Sequence, residues 1–412
     1  MNLTVIGLNY APEPTGIAPY TTALAEALAA DGHAVRVITG HPHYPEWRVR
    51  PGYGQRGRVD RFGGVEVQRI RHALPPTRHA IARAWSEITF GVGAATSGWR
   101  RPDALVLVSP ALLASAIVQA RARAAGIPVI AWVQDLYASG VAETGAGGGA
   151  AVRGVGMLEA RFLRRADAVA VIHDRFADAV VAMHRVPRER VAVIRNWAHL
   201  AERPGVDAAA ARARLGWPAG ERVVLHAGNM GAKQGLENVV EAARLADAAD
   251  APVRFVLLGD GNRRAELERA AHGIHRLEFR DPLPDVEFRA ALAAADVLLV
   301  NELPSLTESA VPSKLTSYFA SGRPVIAAVS PAGTTAAELQ AAGAGVRVDA
   351  GSPAELLGAV LALDPETAAR HGEAGRAYAA RALGRDAALA GFRELLQATA
   401  RPRRRAMPVP TG

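Results

Sequence analysis

Short runs of apolar, mostly β-branched residues alternate with longer stretches in which apolar residues recur at a helical period. In the first half of the chain these runs predict strands at residues 3–8, 34–39, 65–71, 104–109, 129–134, 168–172 and 191–195. Helices such as 19–30 and 111–125 lie between them. Because the strands are apolar along their whole length, both faces are buried, which is typical of a parallel sheet covered by helices.

The same pattern begins again in the second half. Strands are predicted at residues 222–227, 253–258, 277–279, 297–301 and 324–329, and helices at 236–249, 263–272, 285–294 and 314–320. A polar segment rich in Pro and Gly separates the halves, and we place the boundary within 196–204. The pattern therefore predicts an α/β protein with two doubly wound Rossmann-like domains facing a central cleft, with ligands at the carboxyl ends of the strands.

The predicted domains span residues 1–200 and 201–384. A C-terminal helix over 385–400 is expected to pack back on the N-terminal domain. The tail, 401–412, is basic and has too few apolar residues to fold, so we expect it to be disordered.

The composition gives the net charge of the chain and excludes some kinds of site. The 412 residues carry a net charge of +8, which favours an anionic partner, and only two of the 48 basic residues are lysines, Lys233 and Lys314. The chain has no cysteine, which excludes disulfides and thiolate metal sites. No run of 18 apolar residues occurs and the first strand lacks the charged start of a signal peptide, so we expect a cytoplasmic protein.

Lys233 lies in the sequence GNMGAKQG, between a predicted strand and a predicted helix. Glycines such as Gly228 let a ligand approach the backbone, and a lysine adds charge to the field of a helix N-terminus. The loop is not a P-loop, because GxxxxGK[ST] is absent. The alternative is that Lys233 is an ordinary surface lysine. We favour this less, because nearly all other basic residues of the chain are arginines. We interpret the loop as a diphosphate-binding turn.

Lys314 begins a helix in the sequence PSKLTSYFASGRPV, where Ser313 is a candidate N-cap. A lysine beside free backbone N–H groups is typical of a second anion site. Glu308 precedes it in the loop that follows the strand 297–301.

Other strand ends carry candidate ligands. Gly16 precedes a helix and is either a phosphate or sugar contact or an ordinary turn. Asp135 is either an N-cap or a substrate ligand, and Gly259 lies in a tight turn that is structural or near a nucleotide. His43 and Tyr44 lie in HPHYPEW, whose prolines suit a shaped sugar-binding loop better than a metal site.

Four stretches together resemble the retaining glycosyltransferases of family four, which have the GT-B fold. They are YAPEPTGIAPYT, HPHYPEWRV, GNMGAKQGLE and PSKLTSYFASGRPV, in order between residues 9 and 329. The resemblance is greatest to the colanic-acid fucosyltransferase-like branch. The chain also lacks D-x-D and G-x-S-x-G, which agrees with a family that needs neither a metal nor a nucleophile elbow.

The resemblance implies transfer of a sugar from a nucleoside-diphosphate sugar of UDP or GDP type, with retention and without a cofactor or metal. It implies a donor site in the C-terminal domain and a glycan or polyprenyl-linked acceptor on the N-terminal side. Lys233 matches the family's diphosphate-binding lysine, Lys314 the lysine of the P-S-K motif, and Gly16 the loop glycine near the donor. We expect Lys233, Lys314 and helix N-termini to stabilise the departing diphosphate.

The chain departs from the family's pattern at two places. Asn229 stands where many relatives have an arginine. The positions of the Glu-x7-Glu motif hold Ser309 and Ser317, and Glu308 is displaced by one residue. These departures leave ribose recognition and the role of Glu308 open.

Two other functions stay open: a sugar-nucleotide epimerase on the same fold, and a non-catalytic protein that binds sugar nucleotides. A nicotinamide dehydrogenase is disfavoured because GxGxxG with its downstream acid is absent. The segment PPTRHAIARAWSEITFGVGAATSGWRR mixes arginines with Trp85, Phe90 and Trp99. It is either an anionic membrane surface contact, on the inner face of the plasma membrane, or a core helix with a solvated edge. We expect no nucleic-acid partner.

Overall fold

The computed structural model describes residues 1–13, 16–44, 47–75, 80–109, 111–137, 149–197, 207–306 and 314–400. The chain divides into two compact units. Unit 1 contains residues from Met1–Arg195 together with the C-terminal helix, and unit 2 contains residues from Asn196–Arg385.

Unit 1 is built on an eight-stranded sheet with the order β3-β4-β2-β1-β5-β6-β7-β8. Its strands are β1 Asn2–Ile6, β2 Ala34–Gly40, β3 Val59–Phe62, β4 Val65–Ile70, β5 Ala104–Val108, β6 Val129–Val133, β7 Ala168–Val171 and β8 Val191–Val193. Its first helices are α1 Ala18–Ala30, α2 Ala80–Thr96, α3 Leu112–Ala124, α4 Gly149–Arg165 and α5 Asp174–Ala182. Strand order reverses between β1 and β5, as in a doubly wound sheet.

All seven strands predicted in the first half are present, and they pair with one another in parallel, as expected. The edge strand β3 was not predicted. Its sequence, VDRF, contains two charges and no buried position, and it pairs antiparallel with β4 through the turn at Gly63 and Gly64. An edge strand open to water lacks the continuous apolar run that marks the central strands.

Unit 2 holds a six-stranded parallel sheet with the order β11-β10-β9-β12-β13-β14. Its strands are β9 Arg222–Ala227, β10 Val253–Leu258, β11 Leu277–Arg280, β12 Val297–Asn301, β13 Val325–Ala328 and β14 Gly345–Val348. Its helices are α6 Ala208–Arg214, α7 Glu237–Ala248, α8 Arg264–Ala270, α9 Asp285–Ala294, α10 Lys314–Ser321, α11 Thr334–Ala342, α12 Pro353–Ala362 and α13 Pro365–Ala382. Strand β14, GVRV, was not predicted; it is a short edge strand with exposed positions.

Alternate residues of the central strands of unit 2 enter two separate cores. On β9, Val223 and Leu225 belong to the cluster that includes Tyr318, whereas Val224 belongs to the cluster that includes Val240. This division explains why the strand is apolar at every position: successive side chains point to opposite faces, and helices cover both.

The last helix, α14 Arg385–Thr399, packs in unit 1. The buried ring of Phe392 lies edge-on to Trp132 of β6, with 4.7 Å between ring centroids. Arg393 Nε donates to Asp31 Oδ2 over 2.6 Å at the end of α1. The helix therefore joins unit 1 through a buried apolar face, which also includes Leu389 and Leu396, and through a partly exposed ion pair.

Candidate functional site

The switch point of the sheet in unit 2 lies between β9 and β12, and the glycine-rich loop and Lys314 follow these two strands. Gly228 has φ +138 and its N–H donates to Leu258 O over 2.8 Å. Gly259, with φ +139, approaches so closely that a Cβ there would lie 1.9 Å from Gly228 O. Two glycines are therefore needed for the ends of β9 and β10 to meet at this turn.

Asn229 is exposed and lies over the glycines of the loop. A Cβ at Gly231 would lie 2.7 Å from its Nδ2, and one at Gly261 would lie 2.7 Å from its Oδ1. Met230 N, the next backbone amide, donates to Asp260 O over 2.8 Å. The Asn229 side chain thus packs between two glycines at the surface of the turn.

A single 3₁₀ turn, Ala232–Gln234, carries Lys233 and ends at Gly235 with φ +54. The buried Asn301 side chain donates to Gln234 O and Gly235 O, each over 2.8 Å, and accepts from Asn238 Nδ2 over 2.8 Å. Lys233 O accepts from Leu303 N over 3.0 Å. The backbone of the turn is therefore fixed to the end of β12, and the Lys233 side chain is half-buried.

Lys314, the first residue of α10, reaches this loop with its amino group. Nζ donates to Gln234 Oε1 over 2.7 Å and lies 3.4 Å from His226 Nε2. A Cβ at Gly228 would lie 3.8 Å from Nζ. The structure thus brings Lys314 to Gly228 and to the residue next to Lys233.

The surroundings of Lys314 Nζ are low in charge. Burial lowers the Lys314 pKa to about 7, and the Glu302 carboxylate opposes this shift. His226 is fully buried, and burial together with the neighbouring Lys314 holds its pKa well below the usual range. Burial also raises the pKa of Tyr318, whose hydroxyl accepts from Ala227 N over 2.8 Å. The imidazole and the phenol are therefore neutral near pH 7.

Glu308, Ser309 and Ser313 lie outside the described residues. Within them, Glu302 follows β12 directly, and its Oε1 accepts from Thr335 Oγ1 over 2.8 Å at the start of α11. The Glu302 N–H donates to Ala328 O over 3.0 Å. This carboxylate was not singled out in the sequence, although an acid directly after a buried strand was a usable signal.

In unit 1, a buried carboxylate shapes the loop after β2. Glu13 Oε1 accepts from the N–H groups of His43 and Tyr44, over 2.7 and 2.8 Å. Its Oε2 accepts from Asn9 Nδ2 over 2.8 Å. His43 Nδ1 lies 2.8 Å from His41 O, which orients the ring. Glu13 therefore joins the loops after β1 and β2, a role that the sequence analysis missed.

The structure brings Gly16 to Tyr44, because a Cβ at Gly16, where φ is +66, would lie 3.6 Å from Tyr44 Cε1. Helix α1 begins two residues later and no side chain caps its N-terminus. Gly16, His43 and Tyr44 thus form one group. Asp135 is half-buried just beyond β6, which lies two strands from β1 in the sheet.

Helix α2 exposes apolar side chains on one face. Ile81 is 79% exposed, Trp85 56% and Val92 49%. Arg83 is also exposed, but it lies on another side of the helix, with its guanidinium 5.8 Å from the centroid of the Trp47 ring. Phe90 and Trp99 are buried, so they belong to the core and are unavailable to a surface partner. Of the aromatic residues in this segment, Trp85 alone keeps the surface role that the sequence suggested.

Within the residues that the structure describes, no group of three or more His, Asp or Glu side chains is arranged to hold a metal ion. No helix in these residues is long and apolar enough to cross a membrane.

Two doubly wound units, each with loops that follow parallel strands, are the architecture of many glycosyltransferases, and comparison with known proteins identifies the class. Residues 15–197 match the model of the glycosyl transferase 4-like domain, and residues 221–364 match that of the glycosyl transferases group 1. The chain is 33% identical over 343 residues to the "Putative colanic acid biosynthesis glycosyl transferase WcaI" of Escherichia coli (strain K12), covering 78% of this chain and 82% of that protein. The chain therefore belongs to this glycosyltransferase family.

Solved structures share the fold. Sucrose-phosphate synthase from Thermosynechococcus elongatus aligns with TM-score 0.71 and 19% identity, covering 97% of this chain and 98% of that one. HepE from Anabaena, solved with UDP and glucose, aligns with TM-score 0.70 and 17% identity, covering 96% and 99%. These neighbours identify the architecture as GT-B.

Proposed function

We propose that the protein transfers a sugar from a nucleoside-diphosphate sugar, of UDP or GDP type, to a glycan or polyprenyl-linked acceptor in polysaccharide biosynthesis. The contact between Lys314 and the Gly228–Gly235 loop carries this proposal, because it places an amino group at the switch point where doubly wound sheets bind ligands. The relation to WcaI, whose name refers to colanic acid biosynthesis, supports an exopolysaccharide product of the fucosyltransferase-like branch.

In this proposal unit 2 binds the donor. The diphosphate lies on the turn at Gly228, Asn229 and Gly259, with Lys233 and Lys314 as its cationic partners. Glu308, Ser309 and Ser313 belong to the segment before α10, which we assign to the ribose and sugar. As the glycosidic bond breaks, negative charge builds on the outer phosphate, and fixed cations and N–H groups stabilise it without a metal.

We assign the acceptor to unit 1, at the group formed by Gly16, His43 and Tyr44. Attack from the face that the diphosphate leaves gives retention at the anomeric carbon. The acceptor hydroxyl loses its proton to the departing phosphate, so no side-chain nucleophile is required. The half-buried Asp135 is a further candidate for contact with the acceptor.

The test has two stages. First, calorimetry with UDP-, GDP- and dTDP-sugars identifies the donor; next, mass analysis and NMR of products with oligosaccharide and polyprenyl-linked acceptors identify the linkage, with and without EDTA. Transfer with retention in EDTA is the expected result. Conversion of the donor without acceptor would indicate an epimerase instead, and binding without turnover on any acceptor would indicate a non-catalytic protein.

We also propose that unit 1 contacts an anionic membrane surface through the exposed face of α2. Ile81 and Trp85 supply apolar area, and the net charge of +8 supplies attraction to acidic lipids. We expect binding to vesicles that contain phosphatidylglycerol, and its loss in the Ile81→Ser/Trp85→Ser double variant. Met157→Ser on α4, where the side chain is 69% exposed, is the matched control. Absence of vesicle binding by the native protein would contradict the proposal.

A further inference from the structure

The amino group of Lys314 lies in a small polar niche made by three parts of unit 2. Gln234 Oε1 from the 3₁₀ turn accepts its hydrogen bond over 2.7 Å. His226 Nε2, from the buried strand β9, lies 3.4 Å away. The backbone of Gly228 forms the third side, with 3.8 Å between Nζ and the position of a Cβ there.

The backbone segments that carry Gln234 and His226 are themselves held in place. Gln234 follows the backbone of its turn, whose carbonyl accepts from the Asn301 amide over 2.8 Å, and Asn301 in turn bonds to Asn238. His226 is 0% exposed within a strand that pairs on both sides. The sheet and the turn therefore fix the backbone around the niche, and Lys314 enters it from α10.

The niche offers little to stabilise an ammonium group. Its two side-chain partners are uncharged, since Gln234 has no charge and burial keeps the imidazole of His226 neutral. The Glu302 carboxylate, after β12, is the acidic group that favours the charged form, and burial outweighs it. Tyr318 on α10 is protonated and adds no charge. Lys233, on the same turn as Gln234, is of like charge.

We propose that Gln234 and His226 are positioning residues that hold Lys314 Nζ at the Gly228 turn as an uncharged amine, and that a bound diphosphate converts it to the ammonium form. This inference rests on the proposed donor site. One proton passes from solvent to Nζ when the anion binds, and no bond of the ligand is broken. The anion adds negative charge beside Nζ, so binding and proton uptake are linked.

The composition of the chain makes this directly measurable, because Lys233 and Lys314 are its two lysines. Protein labelled with ¹³Cε-lysine gives two side-chain NMR signals, and Lys233→Arg assigns them. We expect the Lys314 signal to titrate with a midpoint of about 7 in the free protein. A midpoint above about 9.5, close to that of an ordinary lysine, would overturn the proposal.

Addition of a donor gives the second measurement. At pH 8 the Lys314 signal should move from the amine to the ammonium position on saturation with UDP-glucose or GDP-mannose, whichever binds. Binding that leaves the signal at the amine position would overturn the linkage and leave the proposed function intact. If no nucleotide sugar binds, the proposed function fails, while the titration of the free protein still decides the charge state.

Variants of Gln234 and His226 distinguish a role in positioning Lys314 from a general loss of structure. Gln234→Glu keeps the shape of the contact and adds a carboxylate, so the Lys314 midpoint should rise by at least 2 pH units (on the order of the shift that an adjacent opposite charge causes). His226→Leu removes the ring nitrogen, and donor KM should rise about tenfold or more with a smaller change in kcat. Gln340→Glu on α11 is a control for the added charge. An unchanged Lys314 midpoint in a folded Gln234→Glu variant would contradict the role of Gln234.

Discussion

The amino group of Lys314 donates to the Gln234 side chain over 2.7 Å, although the two residues are 80 positions apart in the chain. Gln234 is the neighbour of Lys233 in the chain, so the turn that carries one lysine contacts the amino group of the other. The contact depends on the doubly wound topology, which makes β9 and β12 adjacent and brings their following loops to the same edge of the sheet.

Replacement of Lys233 by Ala tests the proposed role of the loop. We expect sugar transfer to fall about 10²–10³-fold, because a fixed donor to the developing phosphate charge is lost. Steady-state kinetics and donor calorimetry on the folded variant are the measurements. Arg244→Ala, which removes an exposed cation of α7 paired with Glu241, is the matched control and should keep full activity. Full activity in Lys233→Ala would refute the assignment.

The stability of unit 2 should depend on pH through Lys314. Its pKa falls from 10.5 to about 7 on folding, so the unfolded chain holds more protons between these values and stability rises with pH across that window. Below pH 7 both states are charged and the full cost of burying the cation is present. Lys314→Met should therefore gain most in urea midpoint, relative to the native protein, near pH 6–7 (about the folded pKa), and this advantage should shrink toward pH 10. Lys233→Met is the control; an advantage that does not change with pH would count against the shift.

Glu13→Gln tests the loop that we assign to the acceptor. The amide keeps one oxygen but places an N–H₂ group among donors, and hydrogen bonds to a charged group contribute about 1.5–3 kcal/mol each. We expect acceptor KM to rise about tenfold or more while donor affinity is unchanged. Asp103→Asn is the control, because Asp103 accepts a hydrogen bond from Asn2 N at the amino ends of the strands, the end of the sheet opposite to the Glu13 loop. Equal kinetics in native protein and Glu13→Gln would contradict the role of the carboxylate.

Gly259→Ala tests the approach of β9 and β10. A Cβ there would overlap Gly228 O at 1.9 Å, in addition to the strain of φ +139. Gly273→Ala has φ +81 and nothing within 4 Å, so it measures backbone strain alone, about 1–3 kcal/mol. We expect a larger loss of unfolding free energy for Gly259→Ala, together with loss of donor binding. Similar losses of unfolding free energy in both variants would show that the turn at Gly259 shifts to accommodate the added Cβ.

The attachment of α14 to unit 1 should depend on Phe392 far more than on Arg393. Phe392 is fully buried against Trp132, so Phe392→Ala should cost about 3–5 kcal/mol of unfolding free energy. The Arg393–Asp31 pair is partly exposed, so Arg393→Ala should cost about 0–1 kcal/mol. Denaturant unfolding followed by Trp fluorescence distinguishes the two. A larger effect for Arg393→Ala would contradict this ranking.

The sequence by itself determined the class of fold, because strands buried on both faces must be apolar throughout and helices must repeat their apolar residues. The central strands were therefore predictable, whereas β3 and β14, at the sheet edges, lack that signal. The glycine turns and the two lysines were also recognisable, since loops that follow parallel strands carry the ligands.

Only the tertiary structure decided which side chains meet. Glu13 is buried under the loop of His43, and His226 points from an apolar strand to Lys314. Neither contact could be inferred from the spacing of residues in the sequence. Each joins two segments that are far apart in the chain and become neighbours only through the order of the strands in the sheet. The charge state of Lys314 likewise depends on burial and on which neighbours are neutral. A sequence gives the residue types, but the desolvation and the contacts that set their chemistry arise when the sheet is assembled.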